Sequence, residues 1–517
     1  MGLKVLLAKH SWLCLFAALL LLSVWRLCAR EAIQMELFFD EAYYWGWAQA
    51  PAWGYYSKPP VLAWIISLTT ALLGDSEFAL RLGSAVLYPA TALVIFALAR
   101  RLFMASAQRD LIALAGGITF ISLPVIGFGS WFMTTDAPLL FFWSLALLSY
   151  VAALGTNSWG AWLGLGAALG LGMLSKYSMV FFGVCMLLHL SLSNEIWRQL
   201  RNSRLWVAVG LALFIWSPNL WWNASNDFAS YRHTAEISQL DHASFNFKHM
   251  LEFVAAQFGL FGFILSVGLL WALLRTKSLW RDARLKLLAC FSFTPLVLFA
   301  GLAFTSRAFA NWAAFSYVAA ALLIAALWVQ QARCRLLLAG ISLNVALLAV
   351  LMHWHSIAPI LGITLSAKTD PYYRVSGWRG LGEQLIPLLE QYPHARLLGD
   401  SRDTLAEMSF YAGRQTANGR EPLIYNPTGA ITNHYALVAD ISNHPQGEFI
   451  WVTKEDVTSQ ASQLFAQARH LTLLTQTIYP GKARQLHVWW VKDYHQQSHN
   501  SAQKNAASKL GGVEHAE

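Results

Sequence analysis

Eleven stretches of apolar residues, most of them near the length of a membrane-crossing helix, constrain this chain more than any other feature. They lie at about 11–29, 80–99, 111–128, 137–154, 159–174, 177–192, 205–222, 250–274, 285–304, 312–330 and 335–354. A helix of roughly 20 apolar residues crosses the hydrocarbon layer, because within it every backbone N–H and C=O is satisfied by the segment itself. A further run, 61–74, is too short to cross as a straight helix and reads as interfacial or re-entrant. Basic residues then order the spans. They cluster at Lys4/Lys9, Arg100/Arg101/Arg109, Arg198/Arg201/Arg204, Arg275/Lys277/Arg281/Arg284 and Arg333/Arg335. Cytoplasmic loops carry the excess of Lys and Arg. All five clusters fall on that side only if 61–74 does not cross. The expectation is eleven spans, the amino terminus cytoplasmic and the carboxyl terminus outside.

Composition agrees: 56% of the 517 residues are hydrophobic and 13% charged, against about 25% charged in an ordinary soluble domain. The fold class is therefore a polytopic α-helical membrane protein with the lipid bilayer as a partner. The net charge of +9 belongs to cytoplasmic loops, and nucleic acid is not an expected partner. The five cysteines lie in apolar runs or beside a basic loop and imply no disulfide framework. The first run contains Arg26 and lacks a small-x-small cleavage site, so it reads as a retained span.

Residues 1–354 form the expected membrane domain, with a first outer loop at 30–79. From 355 the texture changes. "ARLLGDSRDTLAEMSFYAGR" predicts a strand, a turn and a helix, and "GEFIWVTKED" and "RQLHVWWVKD" predict further strands. Residues 355–494 are thus expected to build a small extracytoplasmic α/β domain. The polar segment 495–517 reads as a disordered tail.

This topology places the remaining ionisable groups at outer helix ends and loops, on one face. "FFDEAYYWGWAQAPAWGYYSKPP", from Phe38 to Pro60, sets Asp40 and Glu41 among aromatic rings that include Tyr55 and Tyr56. Adjacent carboxylates can deprotonate a hydroxyl or hold a divalent cation, and they can also simply cap a short helix. The rings suit the apolar faces of a sugar or of a polyprenyl chain. Lys58 precedes Pro59-Pro60, a rigid exit that presents a compact cation suited to phosphate. Asp136, in "MTTDAPLLFF", fits either a helix cap or a phosphate- or metal-facing acid. Lys176 and Arg307 sit at similar outer ends, where snorkelling to head groups is the alternative. His233, His242 and His249 lack ligand spacing, and His353 and His355 read as solvated interfacial groups. Asn223-Ala224-Ser225 is a formal glycosylation sequon. No phosphate-binding loop, dinucleotide turn, serine elbow or Cys/His metal knuckle occurs. A secondary transporter or flippase of a lipid-linked or small polar substrate is the alternative class, but transporters show repeat symmetry and sites near the midplane. Neither is visible here.

"FFDEAYYWGWA" followed by "GYYSKPPVLAWI" resembles the polyprenyl-phosphate-sugar-dependent glycosyltransferases of the GT-C superfamily. The similarity is to the bacterial members of the protein O-mannosyltransferase group, which includes the aminoarabinose transferase that modifies lipid A. "TTDAPLLFFWSLAL", "LGLGMLSKYS", "SRAFANWAAFSY" and "GDSRDTLAEMSFYAGR" extend the resemblance over about residues 10–490. It implies an inverting enzyme of the bacterial inner membrane, with its outer domain periplasmic. Its donor would be a sugar on a polyprenyl (undecaprenyl) monophosphate, and its acceptor lipid A, a cell-envelope glycan or a protein hydroxyl. By the same resemblance Asp40 positions or deprotonates the acceptor with Glu41 beside it, Lys58 faces the lipid phosphate, Asp136 is a second acid and Lys176 the lysine of a conserved-type turn. Arg307 lies where subfamilies vary. No nucleotide is implied, and a divalent ion could be held by Asp40 or Asp136. Tyr177 stands where the aminoarabinose transferases have a small residue, so the resemblance does not carry aminoarabinose over as this chain's donor sugar.

Overall fold

The computed structural model describes residues 8–238, 245–274, 276–413 and 421–495. His242 and the polar tail beyond His495 lie outside the described residues. Packing divides the chain into two units. Met1–Ile33, Ala52–Leu72 and Phe78–Trp354 form a helical unit, and Gln34–Pro51, Leu73–Glu77 and His355–Glu517 form a second. The division runs through the long loop 30–79, whose middle belongs with the helices and whose two flanks belong with the carboxyl-terminal unit.

Every apolar run is largely helical, though the run 111–128, expected as one span, breaks at the extended Leu123, ahead of Pro124, into the helices Arg109–Ser122 and Pro124–Gly129. Among the described residues, six helices are long and apolar enough to cross a bilayer: Ser11–Ala32, Glu77–Leu102, Asp136–Thr156, Ser203–Ser225, Ala283–Thr305 and Cys334–Met352. Val61–Leu73, Trp159–Met173, Tyr177–Leu192 and Ser316–Gln330 are shorter. The helix Ser316–Gln330 is buried on all sides from Ser316 to Val329, as its alanine-rich, uncharged sequence requires of a central helix. A close approach of the helices Trp159–Met173 and Ser203–Ser225 depends on Gly166, where a Cβ would stand 2.5 Å from the Ala208 carbonyl oxygen. Arg26 is compatible with the first span because its guanidinium donates to the Ile121 carbonyl and its own carbonyl accepts from Trp131 Nε1 at 3.0 Å.

The run 250–274, expected as one span, is instead two helices, Phe247–Phe261 and Phe263–Leu274, bent by 117°. Gly262 makes the break. Its φ of +94° disfavours any side chain, and a Cβ there would meet Asn344 Oδ1 at 2.0 Å. Asn344 Nδ2 reaches the freed Phe261 carbonyl at 3.4 Å, which partly restores the bond lost at the corner. Counting this pair as one span brings the number to seven.

The second unit carries a five-stranded mixed sheet. Its strands are β1 (Arg396–Gly399), β2 (Leu423–Ile424), β3 (Glu448–Thr453), β4 (Phe465–Tyr479) and β5 (Lys482–Tyr494), in the order β2-β1-β3-β5-β4. β1 pairs in parallel with β2 and β3, whereas β5 runs antiparallel to β3 and β4. Register sets Leu398 opposite Trp451 and Trp451 opposite Trp489, and these side chains share one apolar core with Phe449 and Val491. The loop flanks are bound to this unit by polar contacts. Glu36 accepts from the amides of Trp378 (2.6 Å) and Arg379 (3.2 Å). Arg379 Nη2 donates to both oxygens of Glu77 (2.8 and 2.9 Å), and the Tyr411 hydroxyl donates to its Oε1 at 2.6 Å. His353 and His355, expected as solvated, both have partners: Trp25 Nε1 donates to His353 Nε2 at 3.0 Å, and His355 Nε2 lies 2.9 Å from Asp370 Oδ2.

Candidate active site

In the helical unit, Asp136 begins the helix Asp136–Thr156 and Lys176 precedes the turn Tyr177–Val180. Thr135 holds the capping position, so the Asp136 carboxylate is not spent on its own helix. Lys176 Nζ is 2.6 Å from Asp136 Oδ1, and Asn311 Nδ2 donates to Oδ2 at 3.1 Å. Both carboxylate oxygens are thereby used, and the helix N-terminus adds favourable potential for the anion. The two side chains are only 15% and 17% exposed, so this is a shielded charge pair and not a snorkelling one. Asn311 is the contribution of "SRAFANW" to this cluster. Arg307 stays exposed and stacks on Phe309, 4.9 Å from the ring centroid.

Lys58 is presented by a loop with little freedom. Its carbonyl accepts from the Tyr55 amide at 3.1 Å, and the Val61 amide that follows the two prolines donates to the Leu174 carbonyl at 3.0 Å. Leu174 is two residues before Lys176, so the backbones carrying the two lysines are tied together. Tyr55 is wholly buried, its hydroxyl accepting from the Ala52 amide at 3.0 Å, and Tyr56 lies 5.0 Å from the His233 ring. Below them sits a buried amide network that sequence reading missed. Asn219 donates to the Trp53 carbonyl at 2.7 Å and accepts from Tyr177 (3.2 Å) and Trp216 (3.3 Å). Asn223, the formal sequon residue, is fully buried and donates to the Asn219 carbonyl at 3.0 Å, which removes it as a glycosylation site. Asparagine recurring four apart at the end of an apolar helix was the available signal.

Asp40 and Glu41 belong to the second unit, on the helix Phe39–Ala48. Glu41 is buried and accepts from the Phe38 amide at 3.1 Å, the reach-back of an N-terminal capping acid. Asp40 is more open, and Arg402 Nη2 lies 3.7 Å from its Oδ1. Arg402 begins the helix Arg402–Met408, and five residues on stands Glu407, fully buried, with no hydrogen-bond partner for either carboxylate oxygen among the described residues. Burial, aided by the nearby Glu36, holds its carboxyl well above the usual carboxylate range. Neither Asp40 nor Asp136 suits a divalent ion. Each already faces a cation, and among the described residues no group of three or more His, Cys, Asp or Glu side chains could bind one.

The profile of the dolichyl-phosphate-mannose-protein mannosyltransferase family matches residues 57–222, the stretch bearing Lys58, Asp136 and Lys176. The lipid A galacturonosyltransferase RgtD of Rhizobium johnstonii is 31% identical over 426 residues, covering 81% of this chain and 80% of the relative. An undecaprenyl phosphate-alpha-4-amino-4-deoxy-L-arabinose arabinosyl transferase of Pseudomonas aeruginosa is 31% identical over 151 residues, 28% of this chain and 27% of its own. Among solved structures, ArnT from Cupriavidus metallidurans bound to undecaprenyl phosphate superposes with a TM-score of 0.63 at 16% identity, covering 93% of this chain and 98% of that one. The fold is thus that of ArnT, and the transporter alternative gains nothing from these relatives. Identity of 31% sustained over 81% of the sequence makes this chain a member of the bacterial polyprenyl-phosphate-sugar glycosyltransferases of the GT-C superfamily.

Proposed function

We propose that the chain transfers a sugar from undecaprenyl or a similar polyprenyl monophosphate to lipid A, or to a neighbouring lipopolysaccharide hydroxyl, at the outer face of the bacterial inner membrane. An acceptor oxygen attacks the anomeric carbon, the bond from that carbon to the phosphate oxygen breaks, and configuration inverts. The acceptor's proton goes to Asp40, and the polyprenyl phosphate leaves with the bonding pair. Lys58 and Lys176 meet the charge developing on that phosphate, with Arg307 as an outer cation. Asp136 and Asn311 orient Lys176, Glu41 holds the helix that bears Asp40, and Tyr55 and Tyr56 shape the loop under Lys58. This reading uses eleven crossings, a cytoplasmic amino terminus and a periplasmic carboxyl-terminal domain.

The observation that carries it is the lysine pair at the ends of apolar helices. Lys176 is clamped by Asp136 at 2.6 Å, and the loop of Lys58 is fastened to the same turn. A clamped lysine at the end of an apolar helix, with a second carried on a loop tied to the same turn, suits a lipid phosphate, and the lipid A activity of the R. johnstonii relative supports the acceptor. The test is transfer in proteoliposomes from a polyprenyl-phosphate sugar to purified lipid A, read by mass spectrometry. D40N is expected to bind donor and not turn over. Turnover in D40N removes the base assignment, and unmodified lipid A with the wild type removes the acceptor.

A further inference from the structure

Arg402 has a guanidinium held in place by an ion pair and two rings, with its hydrogen-bonding capacity unspent. Its contact with Asp40, at 3.7 Å, is beyond hydrogen-bond reach, and among the described residues no atom accepts a hydrogen bond from the group. Its orientation is nevertheless set. The guanidinium carbon lies 5.2 Å from the centroid of Phe39 and 5.3 Å from that of Tyr43, rings one turn apart on a single helix. The side chain is 34% exposed, so part of the fork meets the surroundings. An oriented planar cation with unspent donors is a receptor for a carboxylate or phosphate, because the fork matches two oxygens at once.

We propose that Arg402 binds the carboxylate of the sugar being transferred, so that the chain selects uronosyl donors over neutral or aminated ones. This rests on the transferase reading above, in which Asp40 serves the acceptor at the anomeric carbon. In a hexuronate the carboxylate and the anomeric carbon flank the same ring oxygen, so a base and a carboxylate receptor serving one sugar must be near neighbours. Asp40 and Arg402 meet that requirement. An aminated sugar would bring an ammonium group to a fixed guanidinium and be repelled. The two kinds of relative divide on this charge, and the match covering 81% of the chain is to a galacturonosyltransferase, whereas that to the aminoarabinosyl enzyme covers 28%.

The test uses full-length protein in nanodiscs and polyprenyl-phosphate donors bearing galacturonate, galactose or aminoarabinose. Wild-type kcat/KM is expected to favour galacturonate over galactose by about 10–100-fold, the worth of a charge-assisted hydrogen-bonded pair. R402M should bring that ratio close to one. R402K, which keeps the charge without the fork, should fall between them and guards against a folding defect in R402M. Parallel loss with both sugars in R402M and R402K overturns the proposal, as does wild-type preference for galactose or aminoarabinose. A loss in R402M that disappears on dephosphorylated lipid A also overturns it, by assigning the arginine to an acceptor phosphate. Wild-type protein inert towards all of these donors overturns the transferase reading and this proposal with it.

Discussion

Breaking the Asp136–Lys176 pair separates a structural salt bridge from a working one. At 2.6 Å and an effective dielectric of about 20, the gross attraction is about 6 kcal/mol. Desolvation of both ions and residual solvent access at 15% and 17% exposure reduce the net coupling to about 2–4 kcal/mol. D136N or K176M alone leaves a shielded charge without its counter-ion and is expected to cost about 3 kcal/mol of stability. The double variant removes both charges and should cost clearly less than the sum. Activity should behave differently. Each single variant is expected to lose about 100-fold or more in transfer rate, and the double variant should recover stability without recovering turnover, because Lys176 no longer faces the departing phosphate. The assay is a double-mutant cycle in detergent, with unfolding and sugar transfer measured on the same preparations. Turnover restored in the double variant would refute the functional reading of the pair, and coupling below about 0.5 kcal/mol would refute the electrostatic one.

Further expectations concern a helix break, a buried amide network and a buried carboxyl group. G262A should cost about 3 kcal/mol or more, from the left-handed backbone at φ +94° and the collision with Asn344, measured as loss of thermal stability in detergent. N219A strands the Trp53 carbonyl and takes from the Tyr177 hydroxyl the acceptor it donates to. A cost of about 2–4 kcal/mol and a raised KM for donor are expected, read by unfolding and steady-state kinetics. Asp400, which burial pushes up from 3.8 to about 6, binds its proton more tightly in the folded state. Stability is therefore lost as pH rises from about 4 to about 6, by at most about 3 kcal/mol, and D400N should flatten that slope in melting curves taken across the interval.

The apolar runs were legible because bilayer-facing helices must satisfy their own backbone, and all eleven are largely helical, two of them broken, at Leu123 and Gly262. The corner at Gly262 was not, since hydropathy reports apolarity and not the continuity of the helical axis. Strands at Arg396–Gly399, Glu448–Thr453 and Lys482–Tyr494 showed as short apolar runs. The long strand Phe465–Tyr479 did not, because it is an edge strand paired only with β5 and exposes polar residues without clean alternation. Among the candidate side chains, Asp136 and Lys176 were found as ionisable groups at helix ends. Asn311 and Arg402 were not singled out, because what marks them is a partner 175 or 362 positions away, and a single sequence carries no record of such pairings.

The helix Phe39–Ala48 bears on synthesis as well as on chemistry. Its ring partners, Phe410 at 5.3 Å from Trp45 and Tyr435 at 5.3 Å from Tyr43, leave the ribosome some 350 residues and more after it does. Until they arrive, Tyr43 and Trp45 lack these ring partners. The nascent chain therefore carries an unprotected aromatic segment through most of its translation. A nonsense mutation anywhere before codon 410 leaves that segment without its mate, and such fragments are expected to go to proteolysis and not to accumulate.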